Sequence, residues 1–399
     1  MLVSHVLGDC PGCGGKNSFG NVSVRSNYVL RGCMICRCST NVWLPEHKKK
    51  ILYLDQFFFS SAFKKRDSRF VEAAKRISHI SSLQLLAVPF SSIHEDETHL
   101  WTGYGGKNKD DLMEFIKATS RGHEFKAAYS VEKSQIIQAF QAFLANKPPL
   151  FKLEQTEVVG GDIHEWDDYF RIDVGRYIKD IELTRNLKQE SVQGLIDIFS
   201  VWRQSSNTFD EDVALEVHAA VKGYIDSYIE YFLRIGSGDY SAIYNSPIMS
   251  MVVESLMHCL PNELIWEAKL KRIVEFFKSE HFSEIPYQWL STRIYATLKE
   301  MVKRGAYANK DTAIKNFSGF FQDVTHVSMY APHCDAFVMD KKMASIVADP
   351  HVALENKFGV KVFSLNNWDD FLAWLDFLEA GITSEHRAGL ASAYPYIKI

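Results

Sequence analysis

The apolar residues of this chain change their period along its length. Ile51-Leu52-Tyr53-Leu54 is a continuous apolar run, bounded by Lys48-Lys49-Lys50 before it and Asp55 after it. A run that is apolar at every position suits a strand buried on both faces, as in a parallel sheet. Leu83–Val88, Ala336–Met339 and Val360–Ser364 are three further short runs of this kind. Elsewhere the period is helical. Phe70, Val71, Ala74 and Ile77 recur at helical spacing between Asp67 and Ile80, and Trp368–Leu378 has the same amphipathic pattern. Gln322–Pro332 also reads as a helix, with Asp323 and His326 on one face. Strand–helix alternation thus occupies both ends of the chain, residues 48–105 and 315–399.

The stretch 106–314 between them is helical by pattern. Asp110 can cap a helix through Leu112, Phe115 and Ile116, and Ile136, Ile137, Phe140, Phe143 and Leu144 mark another that Pro148-Pro149 stops. Thr208 and Glu211 have capping-box spacing before an apolar series. Glu263–Phe277 and Pro286–Arg304 continue the pattern. The many aromatic residues here read as core. The simplest topology is an α/β fold: one parallel sheet in a three-layer α/β/α arrangement, interrupted by a large all-helical insertion. Right-handed crossovers then bring the carboxyl ends of the strands onto one edge.

Composition narrows the class. A chain of 399 residues that is 46% apolar and 24% charged can bury a large core. It has no run of about 20 apolar residues, so no membrane partner is expected. Asp9 and Cys10 fall where a signal peptide needs an apolar core, so a cytoplasmic protein is expected. A net charge of −4 argues against a basic nucleic-acid coat over the whole surface. Charge is uneven, however. The first 50 residues carry Lys16, Arg25, Arg31, Arg37 and Lys48–Lys50 against only Asp9 and Glu46.

Residues 1–47 also hold five of the seven cysteines. Cys10-Pro-Gly-Cys13 and Cys33-Met-Ile-Cys36 are two knuckles, with Val22–Arg25 and Tyr28–Arg31 between them as strands across a Ser26-Asn27 turn. Two such knuckles supply the four thiolates of a tetrahedral zinc site, a zinc ribbon. Cys38 is a spare thiol that could replace Cys36. One role for the zinc is as a staple for a domain too small to have a core; the other is nucleic-acid contact through the basic residues with Phe19, Tyr28 and Trp43. The two are compatible.

Acids stand next to the α/β strands. Asp55 closes the first run, Asp335 and Asp340 flank the third, and Ser91–Thr98 holds Glu95, Asp96 and Glu97. Glu97 is preferred among these three because His94 sits one turn before it. An acid after a strand can be a plain cap, and acids at a helix start can simply answer the helix dipole. Carboxylates that do converge stay ionised only with cations, and oxygen-rich sites favour Mg2+ or Mn2+. No Gly-rich phosphate loop and no convincing serine triad occur.

The order of Asp55 at a strand end, Glu97, Asp323-Val-Thr-His326 with Ala331 further along its helix, and Ala336-Phe-Val-Met-Asp340 resembles the PIN-like nucleases. The final Gly359–Ser364 stretch followed by a helix fits as well. The resemblance covers about residues 50–105 and 315–385. It implies that Asp55, Glu97, Asp323 and Asp340 hold divalent ions, with Asp335 and His326 beside them. It implies a metal-dependent endonuclease acting on RNA ahead of DNA. The alternative from another class is a zinc-ribbon nucleic-acid-binding or assembly protein with a degenerate PIN-like fold; a small-molecule phosphoesterase is a third. Protein partners and self-association are left open by the sequence.

Overall fold

The computed structural model describes residues 1–151, 153–166, 181–243 and 248–397. The amino-terminal part is a four-stranded antiparallel sheet in chain order: β1 (His5–Gly8), β2 (Phe19–Arg25), β3 (Tyr28–Cys33) and β4 (Ser39–Trp43). Ser26-Asn27 turns β2 into β3, as the alternation predicts. Gly20 is required here, because a Cβ at that position would stand 1.9 Å from the His5 carbonyl oxygen.

The second sheet starts at β5 (Lys50–Leu54) and is followed by α1 (Gln56–Lys64), α2 (Ser68–Ser82), β6 (Leu86–Ala87), α3 (Ser92–His99) and α4 (Lys109–Thr119). The helical stretch continues with α5 (Ala128–Leu144), α6 (Ile181–Asp197), α7 (Phe199–Gln204), α8 (Phe209–Gly236), α9 (Ile248–His258), α10 (Trp266–Phe277), α11 (Glu280–Ser283), α12 (Pro286–Lys303) and α13 (Lys310–Asn316). Then come α14 (Phe320–Tyr330), β7 (Ala336–Val338), α15 (Lys341–Val347), α16 (Leu354–Phe358), β8 (Lys361–Phe363), α17 (Trp368–Ala380) and α18 (Ser384–Ala393).

All four strands of the second sheet are parallel, in the order β6-β5-β7-β8. β5 is central, and its four apolar residues alternate between two cores. Leu52 and Leu54 join Ala336 and Val338 on one face, under α1, α2, α4 and α17. Ile51 and Tyr53 join Phe337 and Met339 on the other, under α12, α14 and part of α6. The expected strand at Leu83–Val88 shrinks to Leu86–Ala87, because Leu83 closes α2 and Gln84 takes a left-handed φ of 59°.

The stretch 106–314 is therefore not wholly an insertion. α4 belongs to one layer of the sheet and α12 to the other. Among the described residues, α5, α8, α9, α10 and α11 gather around a separate core built on Phe140, Tyr224, Leu256 and Phe276. Asn108, not Asp110, caps α4; its side chain takes the N–H groups of Asp110 and Asp111. The Thr208–Glu211 capping box forms as expected. The carboxyl-terminal α18, which has no distinctive pattern, ties the two sheets together. Leu390 packs against Val29 and Leu44, and the Asn21 amide donates to the Ser392 carbonyl at 2.8 Å. Among the described residues no helix is long and apolar enough to cross a membrane.

Candidate metal centre and acidic sheet edge

Two constellations stand out, one in each sheet. In the first, the ligand atoms of Cys10, Cys13, Cys33 and Cys36 all lie within 4.8 Å of one another. Cys10 Sγ is 3.7 Å from Cys36 Sγ, and Cys13 Sγ is 3.8 Å from Cys33 Sγ. Those are the edges of a tetrahedron with metal–sulfur bonds of ~2.3 Å, whose edge is ~3.8 Å. The knuckle backbone adds N–H donors, from Gly12 to Cys10, from Ile35 to Cys33 and from Cys38 to Cys36. Such donors stabilise thiolate charge. The Ser18 hydroxyl, then the backbone of Cys36 and Ile35, bring the Cys33 thiol down to about 6. The donor set fits a structural metal such as zinc. Cys38 lies beside it, outside the set of four, near enough that a Cβ on Gly12 would meet its sulfur at 3.0 Å.

The second constellation is the carboxyl edge of the parallel sheet. Asp55 leaves β5 and caps α1, accepting the Gln56 N–H at 2.7 Å. Asp340 follows β7 and caps α15, accepting the Met343 N–H at 2.7 Å. Asp323 stands in the first turn of α14, and Glu97 near the end of α3. Burial, then the charges of Glu97 and Asp340, push the Asp55 carboxyl well above its ordinary range. Burial, then Asp55, Glu97 and Asp340, do the same to Asp323. Burial raises Glu97 to about 7 against the opposing charge of Lys188. The charges of Glu97, Asp323 and Asp340 thus act together with Asp55 at one edge, of which Asp55 is the buried member. They are spread more widely than the cysteines: among the described residues only the cysteines gather tightly enough to enclose a single ion.

Beneath the acids lies a polar layer. The Ser91 N–H donates to His94 Nδ1 at 3.0 Å, so His94 carries its proton on Nε2 and donates it to the Leu54 carbonyl at 2.9 Å. Burial holds this ring neutral, down to about 4. His94 thereby fastens the helix of Glu97 to the strand of Asp55. His326 Nδ1 is hydrogen-bonded to the Tyr53 hydroxyl. Its Nε2 and Glu97 Oε2 are both buried without a hydrogen-bond partner, 3.9 Å apart. That gap exceeds a direct hydrogen bond and is the size one bridging atom closes.

Asp335 departs from expectation. It stands at the opposite end of β7 from Asp340, accepting the Ile51 N–H at 2.8 Å and pairing with Lys50 at 2.7 Å. Parallel register puts it at the amino edge of the sheet, so it is a strand-start anchor and not a neighbour of the acidic edge. Lys188, on α6, is the residue sequence reasoning missed. Its charge acts on Glu97, Asp323 and His326. Nothing in the local pattern of α6 marks it, since only folding brings it to the sheet.

Three outcomes check this geometry. Protein purified without chelator should carry about one metal ion per chain by elemental analysis, lost in the Cys10→Ser, Cys33→Ser double variant. His94→Ala should cost roughly 2–4 kcal/mol in denaturant unfolding, because a buried N–H and a buried carbonyl lose their partner. The third concerns pH. A carboxyl raised in the folded state favours folding while protonated, and that support is lost as pH rises from 4.5 to about 7. Buried neutral His94 acts in the opposite sense between about 4 and 6.5. The wild-type curve alone is therefore mixed. The stability gain of Glu97→Gln over wild type, measured in chelator, should widen across pH 4.5–7 by up to a few kcal/mol. A gap that stays constant with pH would remove Glu97 from the strained set.

Comparison with protein-family models, with curated proteins and with solved structures finds no match to this chain.

Proposed function

We propose that this protein is a metal-dependent nuclease of PIN-like type, most consistent with an endoribonuclease of the cytoplasm. The observation that carries the reading is the convergence of Asp55, Glu97, Asp323 and Asp340 on the carboxyl edge of one parallel sheet. Ligands of open α/β sheets bind at that edge. Mutual repulsion among the four acids would be relieved by divalent cations, and a carboxylate set suits Mg2+ or Mn2+. Such ions, when bound, activate a water and stabilise the leaving oxygen of a phosphodiester. The residues of the chain have separate tasks. Asp55 and Asp340 are anchored by their helix caps. His326, held by Tyr53, keeps its Nε2 3.9 Å from Glu97, where a bridging water or ion would join the two. His94 fixes the distance between the helix of Glu97 and the strand of Asp55. In the first sheet, zinc on the four cysteines serves as a staple for a zinc ribbon.

A second reading has its own support. The acids are not gathered about a single point, as a site preset for one ion would be. That favours a nucleic-acid-binding or assembly protein that does not cut.

The test is Asp55→Asn and Asp340→Asn, because Asn keeps the helix cap and removes only the charge. With labelled RNA and DNA and Mn2+, each should lower cleavage roughly 100-fold or more while melting at or above the wild-type temperature. His326→Ala should lower cleavage about 10-fold without unfolding the chain. Wild-type cleavage in both Asn variants would place the chemistry elsewhere. A wild type that neither cuts nor gains thermal stability from Mn2+ would establish the second reading.

A further inference from the structure

We infer that the hairpin after α3, together with the basic end of α1, is a stacking platform for single-stranded nucleic acid. The loop runs Trp101-Thr-Gly-Tyr-Gly-Gly-Lys107. Tyr104 and Lys107 exchange both backbone hydrogen bonds at 3.1 Å, closing a two-residue turn. Gly105 and Gly106 have φ of 60° and 79°, the backbone such a turn demands. Gly103 has φ 93°, and a Cβ there would lie 2.8 Å from the Lys107 carbonyl oxygen. The turn presents Tyr104 at 38% exposure.

One cation sits near each ring. The Arg66 guanidinium lies 4.5 Å from the centre of the Tyr104 ring, Lys64 5.7 Å from Trp101 and Lys107 5.2 Å from Phe63. Among the described residues, Lys64, Lys65, Arg66 and Lys107 form no ion pair. The adjacent acid Asp67 is spent on Arg69, and Asp111 on the Asn108 N–H. Asp110 remains. Trp101 and Phe63 are half-buried against the core, which leaves Tyr104 as the exposed ring. An exposed ring with unpaired cations around it is what unpaired bases and their phosphates recognise. A duplex would reach the cations but not the ring faces. The platform stands at the far end of α1 from Asp55. Nine residues at ~1.5 Å make that ~13 Å, or roughly four nucleotides at ~3.4 Å. It deepens the nuclease reading, on which its role as a substrate grip rests, but binding does not require cleavage.

The experiment uses the full chain carrying Asp340→Asn and reads fluorescence anisotropy. Its probes are labelled strands of about twelve nucleotides, oligo(U) and oligo(dT), and a duplex of the same length. Both single strands should bind at least ~10-fold tighter than the duplex. Tyr104→Ala should weaken them roughly 10-fold and Tyr104→Phe should not, since the ring is what stacks. Arg66→Ala with Lys107→Ala should lower the slope of log Kd against log salt by about 1 to 2. Circular dichroism should be unchanged in every variant. Duplex binding as tight as single-strand binding, or Tyr104→Ala within about twofold of its parent, overturns the platform. Binding that persists while the wild type cuts nothing overturns only the nuclease reading.

Discussion

Burial of β5 on both faces is the constraint from which the rest follows. With strands on either side and helices above and below, Ile51–Leu54 has no solvated face, so its residues must be apolar. Asp55 is the first residue past the sheet, and it arrives there already 92% removed from solvent. One of its oxygens goes to the first N–H of α1, where the helix dipole favours a negative charge. Asp340 repeats the arrangement one strand over. Two caps side by side on a parallel sheet bring two carboxylates to one edge without any special loop. Each cap is individually favourable; what costs stability is having Glu97 and Asp323 beside them.

The fold holds that strained edge with polar groups instead of more apolar contacts. Tyr53, His94 and His326 form a buried layer directly below it, with Tyr53 stacked on His94 at 5.0 Å and on Phe337 at 4.5 Å. Burial keeps both histidines neutral, so they add no charge of their own. They add direction. His94 has both nitrogens committed and acts as a strut between α3 and β5. His326 has one committed and one aimed toward Glu97. A buried polar group with an unmet atom is costly in hydrocarbon surroundings, which is why the His326–Glu97 pair is the most informative feature of the edge.

The helical stretch has two parts with different jobs. α12 and α14 cover the sheet face that carries Tyr53, and so fix the polar layer in place. The bundle of α5 and α8–α11 makes its own core and can be large without disturbing the edge. α6 lies between these roles and brings Lys188 to the acids. Among the described residues it is the cation whose charge acts on Glu97 and Asp323.

Much of this was readable from residue order. Buried strands advertise themselves as short unbroken apolar runs, and three of the four appeared at or within a residue or two of their true positions. The strand at Leu83–Val88 was overextended, because Gln84 adopts a left-handed backbone that hydropathy does not report. The two cysteine knuckles were legible because metal geometry demands a fixed local spacing, and their sulfurs do meet. Asp55 and Asp340 could be placed as strand-end acids, since the end of an apolar run is a local property. Asp335 was misplaced for the converse reason. It also borders a run, and only the direction of the strand in the sheet says which edge an acid is on. The tertiary structure alone assigned α4 and α12 to the sheet layers, coupled His94 to Leu54, and brought Lys188 from α6 to the acids. Those are contacts between residues far apart in the chain, set by how helices pack and not by any period along them.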